Sequence, residues 1–347
     1  MQFVTREQVQ RSECVRVMKP FQYVRAIDQE SALQALAPES SAAFIAGGTN
    51  LVDLMREGVE KPDVLVDINR LDHLARIEEL SDGVLRLGAL AKNSETANHP
   101  LVREHYPLLS EAILAGASAQ LRNSATNGGN LMQRTRCYYF YDTAMPCNKR
   151  EPGSGCGAIE GFNRIHAIFG ASDKCIATHP SDMCVALSAL DATVQVAGLQ
   201  GSRSIQFEEF HRLPKETPQV DTNLRHDELI TSIDLPLSSR AYADHSYYLK
   251  VRDRASYAFA LVSVAAALDI QGGVIRRARV AMGGVAHKPW RCKQSEAILT
   301  GAKPDISVFM EAAEVEMRHA RGYEHNYFKI ELGRRSIVRA LSIARNR

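Results

Sequence analysis

Short apolar runs alternate with glycine-rich turns along most of the chain, and the period of the runs separates strands from helices. Met18-Lys19-Pro20-Phe21-Gln22-Tyr23 begins an alternating stretch that reads as a first strand. Asp28 to Leu36 reads as a helix with an acidic start and Ala42 to Ala46 as a short buried strand. Helical residues then run through Arg56, and a strand spans Val64 to Ile68, closing a unit near Leu71. A second unit starts near Leu74, with a strand at Val84 to Leu90 and an amphipathic helix from about Val102 to Leu114. Thr178-His179-Pro180-Ser181-Asp182 opens another helix, with Ser181 or Asp182 available as a cap and Met183 to Leu190 as its apolar face. A strand at Thr193 to Ala197, a basic hairpin through Arg203 and the run Glu228 to Pro236 complete this unit. A third begins near Ala243. Strands are expected there at Ser246 to Val251, Ala260 to Ile270 and Val274 to Met282, with helices from Ser295 onward.

Two loops interrupt this pattern with backbone that a ligand can approach. The first, Ala46-Gly47-Gly48-Thr49-Asn50-Leu51, sits between a strand and a helix, where paired glycines and the following N–H groups favour a pyrophosphate. Its spacing matches neither the Gly-x-Gly-x-x-Gly dinucleotide fingerprint nor a P-loop, and alone it reads as a tight turn. The second runs from Gly116 to Leu131 and carries small residues, hydroxyls and the pair Gly128-Gly129. Two such loops after compact α/β patterns suggest two walls of one crevice. Lys250, Arg252, Arg254 and Tyr257 gather before a central strand of the third unit, either as a charged strand end or within reach of a flavin edge. Asp182 reads either as a helix cap or as an acceptor for a ribose hydroxyl.

Between the second loop and Thr178 the pattern lapses. Cys137, Cys147, Cys156 and Cys175, four of the seven cysteines, fall among glycine, proline and aromatic residues without helical or strand period. An irregular stretch of this length must be held by something. Two disulfides, a tetrahedral zinc and an iron–sulfur cluster all use four cysteines, and spacings of nine, eight and eighteen intervening residues do not choose among them.

Composition narrows the functions. Hydrophobic residues make up 45% and charged residues 24% of 347 positions, which is globular and long enough for two or three packed units. A formal charge of +2, with scattered Lys and Arg, gives no footprint for nucleic acid. No apolar run is long enough to span a bilayer, and residues 1–17 are polar and charged, an N-terminal extension without a signal sequence.

Taken together, Ala46-Gly47-Gly48-Thr49-Asn50-Leu51, Arg122-Asn123-x-Ala125-Thr126-x-Gly128-Gly129-Asn130, Ser181-Asp182 and Gly283-Gly284-Val285-Ala286-His287-Lys288-Pro289-Trp290-Arg291 resemble, in this order, the flavoproteins of the molybdenum hydroxylases. The resemblance covers Met18 to the end of the chain and is nearest to the FAD subunits of bacterial periplasmic aldehyde oxidoreductases. It implies an α+β fold, with a two-subdomain FAD-binding domain of the PCMH type over 18–237, split near 72 and 73. A C-terminal domain of the CO dehydrogenase flavoprotein type would follow over 243–347. It also implies that Ala43, Phe44, Ile45, Ala46, Gly47, Gly48, Thr49, Asn50 and Leu51, together with Ala117, Ala125, Thr126, Gly129 and Asn130, contact FAD. Asp182 would lie near the ribose or adenine, and Ile230 and Lys250 near the isoalloxazine.

In the subfamily that this chain resembles, an inserted loop, here 132–178, holds a [4Fe-4S] cluster through four cysteines, placing Cys137, Cys147, Cys156 and Cys175 as ligands. A similar insertion in 4-hydroxybenzoyl-CoA reductases leaves the substrate open. The implied partners are a small [2Fe-2S] subunit and a large molybdopterin-binding subunit, where the substrate chemistry occurs. This chain then contributes no catalytic residue and passes electrons through FAD to a terminal acceptor. Export folded beside a signal-bearing partner, or a cytoplasmic location, both fit. The competing readings are a stand-alone flavin oxidase of the vanillyl-alcohol type and a non-catalytic scaffold with structural zinc.

Overall fold

The computed structural model describes residues 18–39 and 41–347; the expected N-terminal extension, 1–17, and Cys14 within it lie outside them. The first layer is a three-stranded parallel sheet, β1 (Gln22–Arg25), β2 (Ala42–Ile45) and β3 (Val64–Asp67), in the order β1-β3-β2. Parallel pairing requires crossovers, and helices α1 (Gln29–Leu36) and α2 (Leu51–Arg56) supply them. The central strand β3 is buried throughout, which accounts for its unbroken apolar run Val64-Leu65-Val66. Asp28 starts α1 through a capping box, its carboxylate accepting from the Ser31 N–H while the Ser31 hydroxyl accepts from the Asp28 backbone N–H.

The second unit is a five-stranded antiparallel sheet, in the order β4-β5-β8-β6-β7. Its strands are β4 (Ile77–Glu79), β5 (Leu85–Gly88), β6 (Thr193–Gly198), β7 (Gly201–Gln206) and β8 (Glu228–Leu235). Helices α3 (Pro100–His105), α4 (Pro107–Ala115), α5 (Asn127–Leu131) and α6 (Asp182–Ala189) belong to the same unit. The single helix expected over Val102 to Leu114 is thus two. Pro107 lacks the N–H a continuous helix needs, Tyr106 leaves helical geometry, and a second helix starts with proline in its first turn. Ser181 caps α6 by accepting from the Cys184 N–H.

A four-stranded antiparallel sheet, in the order β12-β11-β10-β9, forms the third unit. It comprises β9 (Ser246–Val251), β10 (Val262–Gln271), β11 (Val274–Gly283) and β12 (Trp290–Arg291), with helices α7 (Lys293–Leu299), α8 (Ile306–Met317) and α9 (Phe328–Arg345). Strand β10 explains its own sequence, because side chains alternate between faces with period two. Val262, Val264, Ala266 and Leu268 join the core under the C-terminal helices, whereas Ala265 and Ala267 join the core of the preceding unit with α4 and α6. The sheet is therefore covered on both faces, and apolar packing fixes the C-terminal unit on the second one. Among the described residues no helix is long and apolar enough to cross a membrane.

Candidate functional site

The loop leaving β2 reaches a helix through a turn whose backbone favours glycine. Gly48 has φ +68°, in the left-handed region. Gly47 lies so near the other loop that an added Cβ would fall 2.1 Å from the Ser124 carbonyl oxygen. The Ser124 hydroxyl donates to the Gly47 carbonyl at 3.1 Å, so a side-chain hydrogen bond ties the two glycine-rich loops where their backbones come close. Across this clasp opens a cleft of 380 Å³. Ala43, Phe44, Ile45, Ala46, Gly47, Gly48, Thr49, Asn50 and Leu51 line it, with Thr126, Gly128 and Gly129 from the second loop and Ile230 from β8. Thr126 caps α5, its hydroxyl accepting from the Gly129 N–H.

These residues fit a flavin dinucleotide. One wall is apolar, the glycines bare the backbone, and Asn50 offers an orphaned donor: its Oδ1 accepts from the Arg134 N–H at 2.8 Å, while its buried Nδ2 has no partner. A buried donor left over in a glycine-rich cleft suits an anionic oxygen.

The other five expected residues differ in their surroundings, Ala125 standing at the clasp itself, its Cα 3.2 Å from a Cβ added at Gly47. Ala117, Ala125, Asn130, Asp182 and Lys250 do not line this cleft. Asn130 is taken up by the protein, donating to the Asn93 Oδ1 at 2.7 Å and accepting from the Ser181 hydroxyl. Asp182 caps no helix. One of its carboxylate oxygens accepts from the Tyr248 hydroxyl at 2.7 Å and the other from Lys250 Nζ at 2.7 Å. Both side chains of this ion pair are nearly inaccessible, at 7% and 5% exposure, so it ties β9 to the start of α6. Lys250 Nζ and the Arg252 guanidinium also donate to the Ala115 carbonyl. Ala117 holds φ 51°, a strained value for a residue with a Cβ, at the head of the second loop.

Sequence reasoning missed the part of the cleft assembled from distant segments. Leu54, Met132 and Arg134 approach from one side, Leu224 and Leu229 from another. Leu229 had a visible signal as the neighbour of Ile230; Leu224 and Arg134 had none, since only tertiary folding brings them in.

Below Leu54 lies the cysteine loop, which has one helical turn, Tyr138–Tyr141, and is otherwise irregular. Cys137, Cys147 and Cys175 are buried in one cluster with Leu54, Phe140, Ala158, Ile176 and Ala177, and Cys156 packs against it. Cys147 and Cys156 face each other across an isolated antiparallel bridge. All four are free thiols, so no disulfide holds the loop. Instead a charged network does. Arg134 pairs with Glu60 and Asp221 and stacks on Phe140, and buried Lys149 pairs with Asp221. The two cations hold the Asp221 carboxyl far below the usual carboxylate range despite its burial.

The sulfurs are set up as acceptors. Backbone N–H groups of Ala158, Ile159 and Ile176 favour the Cys156 thiolate, those of Phe140 and Tyr139 favour Cys137, and that of Ala177 favours Cys175. Cys175 donates to Cys156, which lowers the latter and raises the former. Burial pushes Cys137 up to about 12, and His166 Nε2 sits 3.1 Å from its sulfur. Amide donors thus reach three of the four clustered cysteines, and hydrogen bonds of this kind suit sulfurs that hold an iron–sulfur cluster, whose potential they tune.

The family described as the FAD binding domain in molybdopterin dehydrogenase matches residues 19–238, and the CO dehydrogenase flavoprotein C-terminal domain matches residues 247–323. The aldehyde oxidoreductase FAD-binding subunit PaoB of Escherichia coli is 48% identical over 330 residues, covering 94% of this chain and 99% of that protein. The glyceraldehyde dehydrogenase medium chain of Sulfolobus acidocaldarius is 30% identical over 283 residues, or 82% of each chain. In fold, the chain is similar to the carbon monoxide dehydrogenase of Hydrogenophaga pseudoflava, with a TM-score of 0.74 at 22% identity over 95% of this chain and 99% of that one. Matched over most of its length by a family whose cofactor suits the cleft, the chain belongs to the FAD-binding subunits of the molybdenum hydroxylases, a family of oxidoreductases.

Proposed function

We propose that this chain is the relay subunit of a heterotrimeric aldehyde oxidoreductase. In this reading a large molybdopterin subunit oxidises the aldehyde, a small [2Fe-2S] subunit carries the electrons, and this chain delivers them to a terminal acceptor. The names of the two relatives above support aldehyde as the substrate class. When bound, FAD supplies the exchange between single and paired electrons.

This chain's own residues bind and orient. The loops at Gly47 and Gly129 present backbone to the dinucleotide, Asn50 Nδ2 offers a donor, and Ile230 and Leu229 exclude water from the apolar wall. Cys137, Cys147, Cys156 and Cys175 would hold a [4Fe-4S] cluster. The observation that carries the relay reading is a shared wall: Leu54 lines the FAD cleft and packs in the cysteine cluster. Two redox groups held on either side of one leucine are close enough to exchange electrons.

The test uses the complex purified with its partners. Anaerobic addition of an aldehyde is expected to bleach the flavin and iron–sulfur absorption together. A flavin that stays oxidised while the molybdenum is reduced would sink the relay. Cys147→Ser is expected to lower iron per complex with FAD retained, and unchanged iron removes the cluster assignment. Fractionation of cells then separates co-export to the periplasm from a cytoplasmic complex.

A further inference from the structure

Away from the FAD cleft and the cysteine cluster, three other side chains converge. His179 leads into α6, Cys184 sits in the first turn of that helix, and His211 follows the short helix Phe207–Phe210. One ligand atom from each, an imidazole nitrogen or the thiol sulfur, lies within 4.8 Å of the other two. All three residues are buried, Cys184 completely.

The hydrogen bonding leaves lone pairs free at this point. His211 Nε2 is 2.9 Å from the Leu131 carbonyl oxygen, which only accepts, so Nε2 carries the proton and Nδ1 is the bare nitrogen. That Nδ1 is buried and has no partner, and neither has His179 Nε2. Other buried imidazole nitrogens also lack partners, such as His166 Nδ1 and both nitrogens of His287. What distinguishes this trio is convergence: two imidazoles 4.3 Å apart between ring centres, with a thiol as third neighbour.

The geometry points to a zinc-type site, in which His179, Cys184 and His211 bind a borderline divalent first-row cation through two nitrogens and one thiolate. Neutral imidazole and thiolate are the ligands such an ion prefers, and three protein ligands leave a fourth position for water. Around zinc the donor atoms stand about 3.3–3.8 Å apart, so a small inward movement from the present spacing closes the shell. The carbonyl of Leu131 orients His211 from behind, as outer-shell acceptors do for metal-bound histidines. Binding releases the Cys184 proton to solvent. Of the three ligands, His211 borders an open cleft of 820 Å³ shared with Phe207, Ser188 and Lys288.

The site would clip together three parts of the second unit. Leu131 ends α5, whose first turn lines the FAD cleft; Cys184 belongs to α6; His211 follows the β6–β7 hairpin. It uses none of the four cysteines of the irregular loop and stands whether or not those hold iron.

The experiment uses the assembled complex, incubated with zinc sulfate, desalted and analysed for metals. One zinc per chain is expected, with two nitrogen scatterers and one sulfur in the zinc K-edge absorption fine structure. Cys184→Ala and His211→Phe are each expected to bring zinc to background while FAD and iron per complex stay at the wild-type level. If a variant does not fold, the wild-type spectrum alone decides. Absence of retained zinc in the wild type, meaning water fills the space, overturns the proposal. So does a four-sulfur zinc shell, which would place the ion in the cysteine loop, or zinc retained in full by both variants.

Discussion

Replacing Gly47 by alanine tests whether the clasp between the two loops makes the FAD site. The added Cβ would stand 2.1 Å from the Ser124 carbonyl oxygen and 2.8 Å from its carbon. Ordinary contacts between such atoms are about 3.5 Å, so the loops must part by more than about 1 Å. Backbone lies on the receiving side, and no rotamer change relieves the overlap. Overpacking of this kind costs about 1–3 kcal/mol, and losing the Ser124–Gly47 hydrogen bond adds about 1 kcal/mol. Where that cost falls on the closed cleft, FAD binding weakens by about 30-fold to 1000-fold. Flavin fluorescence titration of deflavinated chain gives the dissociation constant directly. Ser124→Ala, which removes only the hydrogen bond, is the reference, with an expected loss of about fivefold. If Gly47→Ala binds FAD as tightly as Ser124→Ala does, the contact between the loops is not what shapes the site.

Three further outcomes follow from the geometry. Ala117→Gly relieves a left-handed backbone and is expected to raise thermal stability by about 1 kcal/mol or less, since glycine regains entropy when unfolded; a lower melting temperature removes the strain argument. Asp182→Asn leaves Lys250 charged and buried and should cost about 3–5 kcal/mol in urea unfolding, much of it recovered in the double variant Asp182→Asn, Lys250→Met. No recovery would mean that the pair is not coupled. Lys329 donates to the His166 and Gly284 carbonyls in a buried site where desolvation lowers its pKa to about 7. Between pH 7 and its ordinary value near 10.5 the unfolded chain holds one more proton, so this residue's contribution to stability rises with pH across that window. Wild type should therefore gain melting temperature relative to Lys329→Met from pH 7 to pH 9, and parallel profiles would refute it.

Much of the fold was legible because period and burial agree. The run Val264 to Leu268 reads as part of a strand, and the structure shows why it does not alternate with polar residues: helices cover one face and the second unit covers the other. The split at Pro107 was legible too, from the missing N–H alone, but an apolar pattern continuing past it masked the break. The first FAD loop could be read because contiguous glycines must do something local. The second loop was legible only in part, since Asn130 is engaged by Asn93 and Ser181 while Thr126 and Gly129 line the cleft, a choice made by the direction in which α5 leaves. Asp182 shows the limit most clearly. A helix start offers an acid two local uses, and the structure gives it a third, a lysine and a tyrosine on a strand sixty-six residues or more away in sequence.

The cysteine loop was opaque for a related reason: its stability is not carried by repeating backbone hydrogen bonds but by long-range charge pairs that leave no period. Arg134 is the centre of that arrangement. Its N–H holds Asn50 at the FAD cleft, its guanidinium pairs with Glu60 and Asp221, and its face covers Phe140 beside Cys137. Asp221 in turn fixes Lys149, two residues beyond Cys147. A loop without regular structure can thus hold its cysteines in place, because the residue that orients it is the same one that orients the FAD loop. The cleft and the cysteine cluster are then built as a unit, joined through Arg134 and Leu54.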